Sequence, residues 1–176
     1  MQKDTIAIHA GYDKKSGNGE MAIPISQTTA YAFRDAEHAA NLFALKELGP
    51  IYTRLNNPTN DILEQRYAQL ENGAAALATS SGASAVFYSI ANIAEAGDNI
   101  LISDKLYGGS VTLFHFTLKR FGISVKTFKS DDASDLESLV DDKTKGIFFE
   151  SLSNPQIAIP DVEKIVEVAK KYGIPY

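Results

Sequence analysis

A run of small residues, TSSGAS at positions 79 to 84, stands between an apolar stretch and an apolar helix pattern. The first turn of a helix has unpaired backbone N–H groups and the positive end of the helix dipole, so it favours an anion. Gly82 would let a phosphate approach the backbone closely. A tight turn with Ser81 as N-cap explains the same residues equally well. The stretch lacks the Gly-Lys-Ser/Thr of a Walker loop and the G-x-G-x-x-G of a dinucleotide site.

Two further loops place reactive groups just past predicted strands. LYGGS, positions 106 to 110, puts Tyr107 before two glycines, where its ring could stack on a flat ligand and its hydroxyl could transfer a proton. ESLSNP, positions 150 to 155, offers Glu150 and Asn154 to the oxygen and nitrogen atoms of a ligand. Each loop has a structural alternative, because loop tyrosines often only pack and Asn-Pro is a common turn.

The segment YTRLNNPT, positions 52 to 59, has a tyrosine two residues before an arginine and a helix start after them. If the segment is extended, Tyr52 and Arg54 lie on one face, because side chains alternate along a strand. A hydroxyl and a guanidinium that converge in this way suit an anion.

Composition excludes several other chemistries. The chain has no Cys, and its three His show no metal-ligand spacing, so neither a thiolate site nor a metal site is predicted. The serines lack the G-x-S-x-G pattern of a hydrolase elbow. A net charge of −5 without a Lys/Arg cluster disfavours nucleic-acid and membrane-surface binding. No apolar run is long enough to span a bilayer and no signal peptide is recognised, so the cytoplasm is the expected location.

Helices and short apolar strands alternate after Asn57, which predicts an α/β fold with a mostly parallel sheet and helices on both faces. The carboxyl ends of the strands then form the ligand edge. Helices are predicted within 34–49, 57–73, 83–97, 110–122, 132–142 and 161–173, and strands within 74–82, 99–103, 123–128 and 146–151.

Two domains are expected: an amino-terminal arm with one short helix at 1–56, and the first part of the α/β domain at 57–176. The chain stops at KKYGIPY, where a further buried strand is expected, so the domain is predicted to be incomplete here.

The order and spacing of YTRLNNPT, ATSSGASA, LYGGS and ESLSNP resemble the pyridoxal-phosphate enzymes of cysteine and methionine metabolism. The resemblance covers nearly the whole chain and implies fold type I, the aspartate aminotransferase-like fold. The segment PISQTTAYAFRDAEHAANLF looks most like the O-acetylhomoserine sulfhydrylase branch.

The resemblance also implies roles for individual residues around pyridoxal 5'-phosphate. The backbone N–H groups of Gly82 and Ala83 would bind its phosphate, and Tyr107 would stack on the pyridine ring and assist proton transfer. Asn154 would lie near the phenolic oxygen of the ring, with Glu150 as a supporting polar residue.

A second chain is implied as well. Tyr52 and Arg54 would reach the phosphate in the neighbouring subunit, so that two chains share each active site. The family resemblance suggests a homotetramer built from two such dimers.

The activity implied is γ-replacement on O-acetyl-L-homoserine by sulfide or a thiol, which gives homocysteine or methionine plus acetate in methionine biosynthesis. Methionine γ-lyase and cystathionine γ-synthase remain alternatives within the family. A non-catalytic phosphate-binding α/β module remains an alternative from another class.

Such enzymes require a Schiff-base lysine and an acidic partner for the pyridinium nitrogen. None of the lysines matches the family pattern, since Lys105 precedes Tyr107 in the wrong motif and Lys143 and Lys145 follow an acidic helix. The 176-residue chain alone is therefore expected to be inactive, and the full-length parent is expected to be an enzyme.

Overall fold

The computed structural model describes residues 2–15 and 19–176. The chain divides into two compact units, Met1–Ala78 and Thr79–Tyr176, which are treated separately below. This division falls later in the chain than the domain boundary predicted after residue 56, and that boundary stays a prediction. The two differ because the helix that follows position 57 packs on the amino-terminal helix and so belongs to the first unit.

The first unit contains three helices among the described residues: α1 at Lys3–His9, α2 at Ala36–Phe43 and α3 at Pro58–Leu70. The side chain of Asp35 caps α2 by accepting the N–H of His38, and that of Asn57 caps α3 by accepting the N–H of Thr59. Pro58 stands in the first turn of α3, where a missing N–H costs no helical hydrogen bond. The predicted helices at 34–49 and 57–73 are confirmed.

Helix α1 lies in the stretch predicted as an arm with one helix, so that prediction was incomplete. Its seven residues bury none of their side chains, which leaves little apolar periodicity to read. The guanidinium Nε of Arg66 on α3 donates to the carbonyl of Ala10, just past α1, over 2.9 Å. That bond ties α1 to α3.

Two details at the end of α3 differ from expectation. Asn72 supplies the left-handed residue, with φ of 53°, whereas Gly73 was predicted as the stop. Residues 74–82, predicted as a strand, pair with no strand among the described residues, and Leu77 is 75% exposed. A strand forms only where a neighbour completes its hydrogen-bond ladder, and small apolar residues alone do not supply one.

The second unit is built on three parallel strands in the order β2-β1-β3. They are β1 at Asn99–Ser103, β2 at Ser124–Phe128 and β3 at Thr144–Phe148. All five residues of β1 are buried, as expected for the central strand of a sheet covered on both faces. The predicted parallel sheet is confirmed, and so are three of the four predicted strands.

Helices cover both faces of this sheet. They are α4 at Gly82–Ile93, α5 at Gly108–Thr112, α6 at Leu136–Leu139 and α7 at Val162–Tyr172. Ile100 and Ile102 pack with Phe114 and Ile90 on the face covered by α4 and the segment after α5. Leu101 points the other way and packs with Ile165 of α7. The alternation along β1 thus feeds two cores, one on each face.

The predicted helix at 110–122 is interrupted rather than regular. A π-helical turn, Leu113–Thr117, follows α5, and a 3₁₀ turn, Leu118–Phe121, follows that. Gly122 then ends the segment with φ of 78°, and a Cβ there would stand 2.8 Å from the Cβ of Ala96. Only glycine fits this turn without displacing its neighbour.

The remaining helices differ in how they begin. Asp161 caps α7 by accepting the N–H of Lys164, and Gly173 ends that helix in the left-handed conformation. The predicted helix at 132–142 forms only as the four-residue α6, and its N-cap residue, Asp135, makes no side-chain cap. The Asp135 carboxylate instead accepts the N–H of Lys129.

The chain after α7 runs beside β3, where the N–H of Ile147 donates to the carbonyl of Pro175 over 2.9 Å. Across residues 2–15 and 19–176, no helix is long and apolar enough to cross a membrane.

Candidate active site

The carboxylate of Glu150 joins two of the predicted site residues. Its Oε1 accepts the backbone N–H of Tyr107 over 2.9 Å, and its Oε2 accepts the backbone N–H of Asn154 over 3.2 Å. Tyr107 follows the carboxyl end of β1, and Glu150 and Asn154 follow that of β3, its neighbour in the sheet. The structure therefore brings these three residues together at the edge where parallel α/β sheets hold ligands.

The Tyr107 ring lies directly against Gly109. A Cβ on Gly109 would stand 2.5 Å from Cε1 of the ring, whereas one on Gly108 would meet nothing within 4 Å. Of the two glycines after Tyr107, Gly109 is therefore the one that leaves space for the ring. Tyr107 is 54% exposed, so a ligand can reach this residue.

Gly82 and Ala83 form the first turn of α4, which begins one residue before the helix predicted within 83–97. Ser81 caps the helix by accepting the N–H of Ser84 over 3.1 Å, and the hydrogen bonds of the helix begin with the N–H of Ala85. The N–H groups of Gly82 and Ala83 thus stand ahead of the first helical bond and lack helical partners.

Space at this helix start suits a phosphate. A Cβ on Gly82 would meet no atom within 4 Å, so an anion can approach the backbone without displacing protein. The donors are uncharged N–H groups at the positive end of a helix of 12 residues. These residues fit a phosphate-bearing cofactor. No hydrogen bond within the described part of the chain links them to the Glu150 carboxylate.

A second hydrogen-bonded link at the same sheet edge was not predicted. Asp104, just after β1, accepts the N–H and the hydroxyl of Ser130 over 3.0 and 2.8 Å. The carbonyl of Ser130 in turn accepts the N–H of Asp161 over 2.9 Å. The sequence signal that could have predicted this link is Asp104 itself, an acidic residue directly after a buried strand. The Asp104–Ser130 link holds the loops after β1 and β2 together, and it shares no residue with the Glu150 link.

In the first unit, Tyr52 and Arg54 come together by a different geometry from the one predicted. Residues 53–55 form a turn rather than a strand, and the N–H of Leu55 donates to the carbonyl of Tyr52 over 2.7 Å. Arg54 lies over the Tyr52 ring, with its Cζ 5.0 Å from the ring centroid, which is a cation–π contact. The two side chains do contact each other, but from a turn rather than an extended segment and through the Tyr52 ring rather than its hydroxyl; their role toward an anion stays a prediction.

The turn is held by the buried side chain of Asn57, which is only 5% exposed. Its amide nitrogen lies within hydrogen-bond distance of the carbonyl of Ser26 at 3.0 Å, the hydroxyl of Thr53 at 3.1 Å and the hydroxyl of Tyr31 at 3.2 Å, and its two N–H groups are shared among these three acceptors. Sequence reasoning assigned no role to this residue beyond a helix start.

Titratable groups in the described part of the chain form no cluster of three or more His, Asp or Glu side chains that could hold a metal ion.

The parallel α/β fold, together with the polar residues at the carboxyl ends of its strands, defines the class of protein to which this chain belongs. The model of the Cys/Met metabolism PLP-dependent enzyme family matches residues 4–176, and the chain belongs to that family. The predicted resemblance, the fold type I architecture and the pyridoxal-phosphate dependence of the family are confirmed.

Particular relatives are similar over nearly the whole chain. A homocysteine synthase of Schizosaccharomyces pombe is 47% identical over 172 residues, which are 98% of this chain and 40% of that protein. O-acetyl-L-homoserine sulfhydrylase 1 of Thermus thermophilus is 46% identical over 175 residues, which are 99% of this chain and 42% of that protein. The chain thus spans about 40% of the length of these curated relatives.

Solved structures agree on the fold. A Campylobacter jejuni protein described as an O-acetylhomoserine (thiol)-lyase superposes with a TM-score of 0.94 at 49% identity, over 99% of this chain and 43% of that one. That structure carries N'-pyridoxyl-lysine-5'-monophosphate at position 205 of its own chain. Cystathionine γ-lyase of Lactobacillus plantarum superposes with a TM-score of 0.87 at 27% identity, over 99% of this chain and 43% of that one.

Proposed function

We propose that the whole protein uses pyridoxal 5'-phosphate to replace the γ-acetoxy group of O-acetyl-L-homoserine by sulfide or a thiol. The products would be homocysteine or methionine, and acetate. The observation that carries this proposal is the pattern of identities. Relatives named homocysteine synthase or O-acetyl-L-homoserine sulfhydrylase are 44–47% identical, whereas the cystathionine γ-lyase structure is 27% identical.

The backbone N–H groups of Gly82 and Ala83 would hold the cofactor phosphate. Their position at the start of α4 and the open space beside Gly82 support this assignment. Only backbone atoms are needed, so an alanine at position 83 serves as well as a larger side chain. When bound, pyridoxal phosphate supplies an electron sink that allows the γ-substituent of an amino acid to leave.

Tyr107 and Asn154 would contact the ring of the cofactor. The exposed tyrosine ring can stack on a flat heterocycle, and its hydroxyl can hold or pass a proton at Oη. The Asn154 amide can donate to the phenolic oxygen of the ring. Their shared attachment to one carboxylate supports a single site.

Tyr52 and Arg54 would bind the phosphate of a neighbouring subunit. Arg54 is exposed and forms no ion pair with the residues that the structure describes, so its guanidinium donors are free for an anion. The ring of Tyr52 holds the guanidinium in place and limits the entropy lost when a phosphate binds. Two chains would then complete each site, with a homotetramer as the proposed assembly and the cytoplasm as the proposed location.

The lysines of this chain support the proposal that the 176 residues alone do not turn over substrate. Lys105 bonds to Asp131, and the Nζ of Lys145 lies 3.8 Å from Asp98, so neither is a free amine beside the Tyr107 loop. The Schiff-base lysine and the partner of the pyridinium nitrogen would come from the rest of the whole protein.

Product analysis tests the proposed activity. The whole protein, loaded with pyridoxal phosphate, is given O-acetyl-L-homoserine and sulfide, and in parallel methionine alone or a homoserine ester with cysteine. Homocysteine and acetate from the first mixture alone support the proposal. Methanethiol from methionine would identify a γ-lyase, and cystathionine would identify a γ-synthase.

A further inference from the structure

We infer that Glu150 is a positioning residue, which places Tyr107 and Asn154 through their backbone N–H groups and does not bind the cofactor itself. The inference rests on the proposed function and revises the assignment of Glu150 to the cofactor-binding set.

Both carboxylate oxygens of Glu150 are engaged by protein. Oε1 accepts from Tyr107 at 2.9 Å and Oε2 from Asn154 at 3.2 Å, and both donors are main-chain groups. Hydrogen bonds to an ionised carboxylate are stronger than those between neutral groups, so each restrains its loop effectively.

Charge also argues against direct contact with the ligand. Pyridoxal phosphate is anionic at its phosphate, and a carboxylate beside an anion is repelled. A glutamate that faced the phosphate would weaken binding of the cofactor, whereas the pyridinium nitrogen is the one position of the cofactor that favours an acidic partner. A glutamate turned to two N–H groups lets the neutral side chains of Tyr107 and Asn154 face the ligand instead.

The topology makes this link specific. β1 and β3 are neighbours in the sheet, so the loops that follow them emerge side by side although Tyr107 and Glu150 are 43 residues apart. Within the described part of the chain, the Glu150 carboxylate is the hydrogen-bonded link between Tyr107 and Asn154. The Asp104 link to Ser130 is separate, so loss of the Glu150 carboxylate leaves the neighbouring loops tied.

A coupling experiment in the whole protein tests this inference. Pyridoxal phosphate is titrated into cofactor-depleted protein, followed by its visible absorption, for the parent, Glu150→Gln and the control Glu163→Gln. Glu163 is an exposed glutamate in the first turn of α7. Because the Gln amide can accept only one of the two N–H groups, Glu150→Gln is expected to weaken cofactor affinity about tenfold, the effect of roughly one such hydrogen bond. Glu163→Gln is expected to match the parent.

The same Glu150→Gln change is then made in a Tyr107→Ala/Asn154→Ala background, where the backbone N–H groups remain but the two side chains are gone. If Glu150 acts through those side chains, Glu150→Gln is expected to change the cofactor affinity of that background by no more than about twofold. An undiminished tenfold effect in that background would mean direct contact with the cofactor and would overturn the inference.

Three other outcomes are also decisive. A Glu150→Gln protein with parental affinity overturns the inference and leaves the proposed function standing. A parent that binds no pyridoxal phosphate overturns both. A thermal midpoint far below that of Glu163→Gln overturns the inference as well, because the carboxylate would then support the fold rather than the site.

Discussion

Gly109 lies so close to the ring of Tyr107 that a single added methyl group would stand 2.5 Å from ring atom Cε1. The ring position therefore depends on a glycine two residues away. Glu150 fixes the main chain of Tyr107, and Gly109 leaves room for its side chain.

Gly109→Ala is expected to turn the Tyr107 ring away from its rotamer and to weaken cofactor affinity about two- to tenfold, the cost of a strained side-chain torsion. Titration of the whole protein with pyridoxal phosphate measures the change. Gly108→Ala is the matched control, because its Cβ would meet no atom within 4 Å. Equal affinities in the two variants would show that the ring pose does not matter for binding.

Arg54→Ala is expected to weaken cofactor retention in the whole protein about ten- to a hundredfold, because a charge-assisted pair with phosphate is lost. Arg54→Lys should be intermediate, since lysine keeps the charge but lacks the planar fork that stacks on Tyr52. The thermal midpoint of the monomer should change little because Arg54 is exposed.

Lys46→Ala is the control for Arg54, since it removes another exposed cation of the same unit. Dialysis followed by measurement of bound pyridoxal phosphate compares the variants. If the Arg54→Ala and Lys46→Ala proteins retain equal amounts, the Tyr52–Arg54 pair does not belong to the site.

Asn57→Ala is expected to loosen the turn that carries Arg54. The two N–H groups of the buried amide are shared among the carbonyl of Ser26 and the hydroxyls of Tyr31 and Thr53, and loss of these hydrogen bonds is expected to cost about 1–3 kcal/mol. Hydrogen exchange should report this locally, as lost protection of the Thr53 N–H, which bonds to the carbonyl of Thr29 at 2.8 Å. Asn60→Ala, an exposed change on α3, should leave that amide protected.

The parts of this molecule that sequence could predict are those that local pattern determines. NILIS reads as a buried strand because its apolar residues face two helical layers, and NPT reads as a helix start because capping is local chemistry. The small residues at the start of α4 likewise identified a helix terminus with free N–H groups.

The unpredicted parts depend on residues distant in sequence. Residues 74–82 have a composition typical of a strand, but a strand forms only where a neighbouring strand completes its hydrogen bonds. The link from Glu150 to Tyr107 exists because β1 and β3 lie side by side, which no local window contains. The turn at Arg54 is held by contacts of Asn57 and Tyr52 with residues 26–31, and the alternation of side chains along YTRL does not determine it.

A last prediction concerns acid sensitivity at the amino-terminal edge of the sheet. The Nζ of Lys126 donates to Asp141 Oδ2 over 2.6 Å, and the Asn99 amide donates to Oδ1 over 2.8 Å. Lys126 first and Asn99 second hold the pKa of the Asp141 carboxyl well below its usual range. Because the folded-state pKa is the lower one, the ionised carboxylate stabilises the fold at neutral pH. That contribution declines once the pH falls below the unfolded pKa, near 4, and is lost through the folded pKa.

Asp141→Asn should therefore lower the thermal midpoint at pH 7, and its difference from the parent should narrow as the pH falls from about 5 to 3. The Asn amide can still accept from Asn99 or Lys143, but it places an NH₂ group where Lys126 needs an acceptor. Asp142→Asn removes a neighbouring exposed carboxylate as the control and should show no such convergence. A gap between Asp141→Asn and the parent that stays constant across this range would mean that the carboxylate acts by shape rather than by charge.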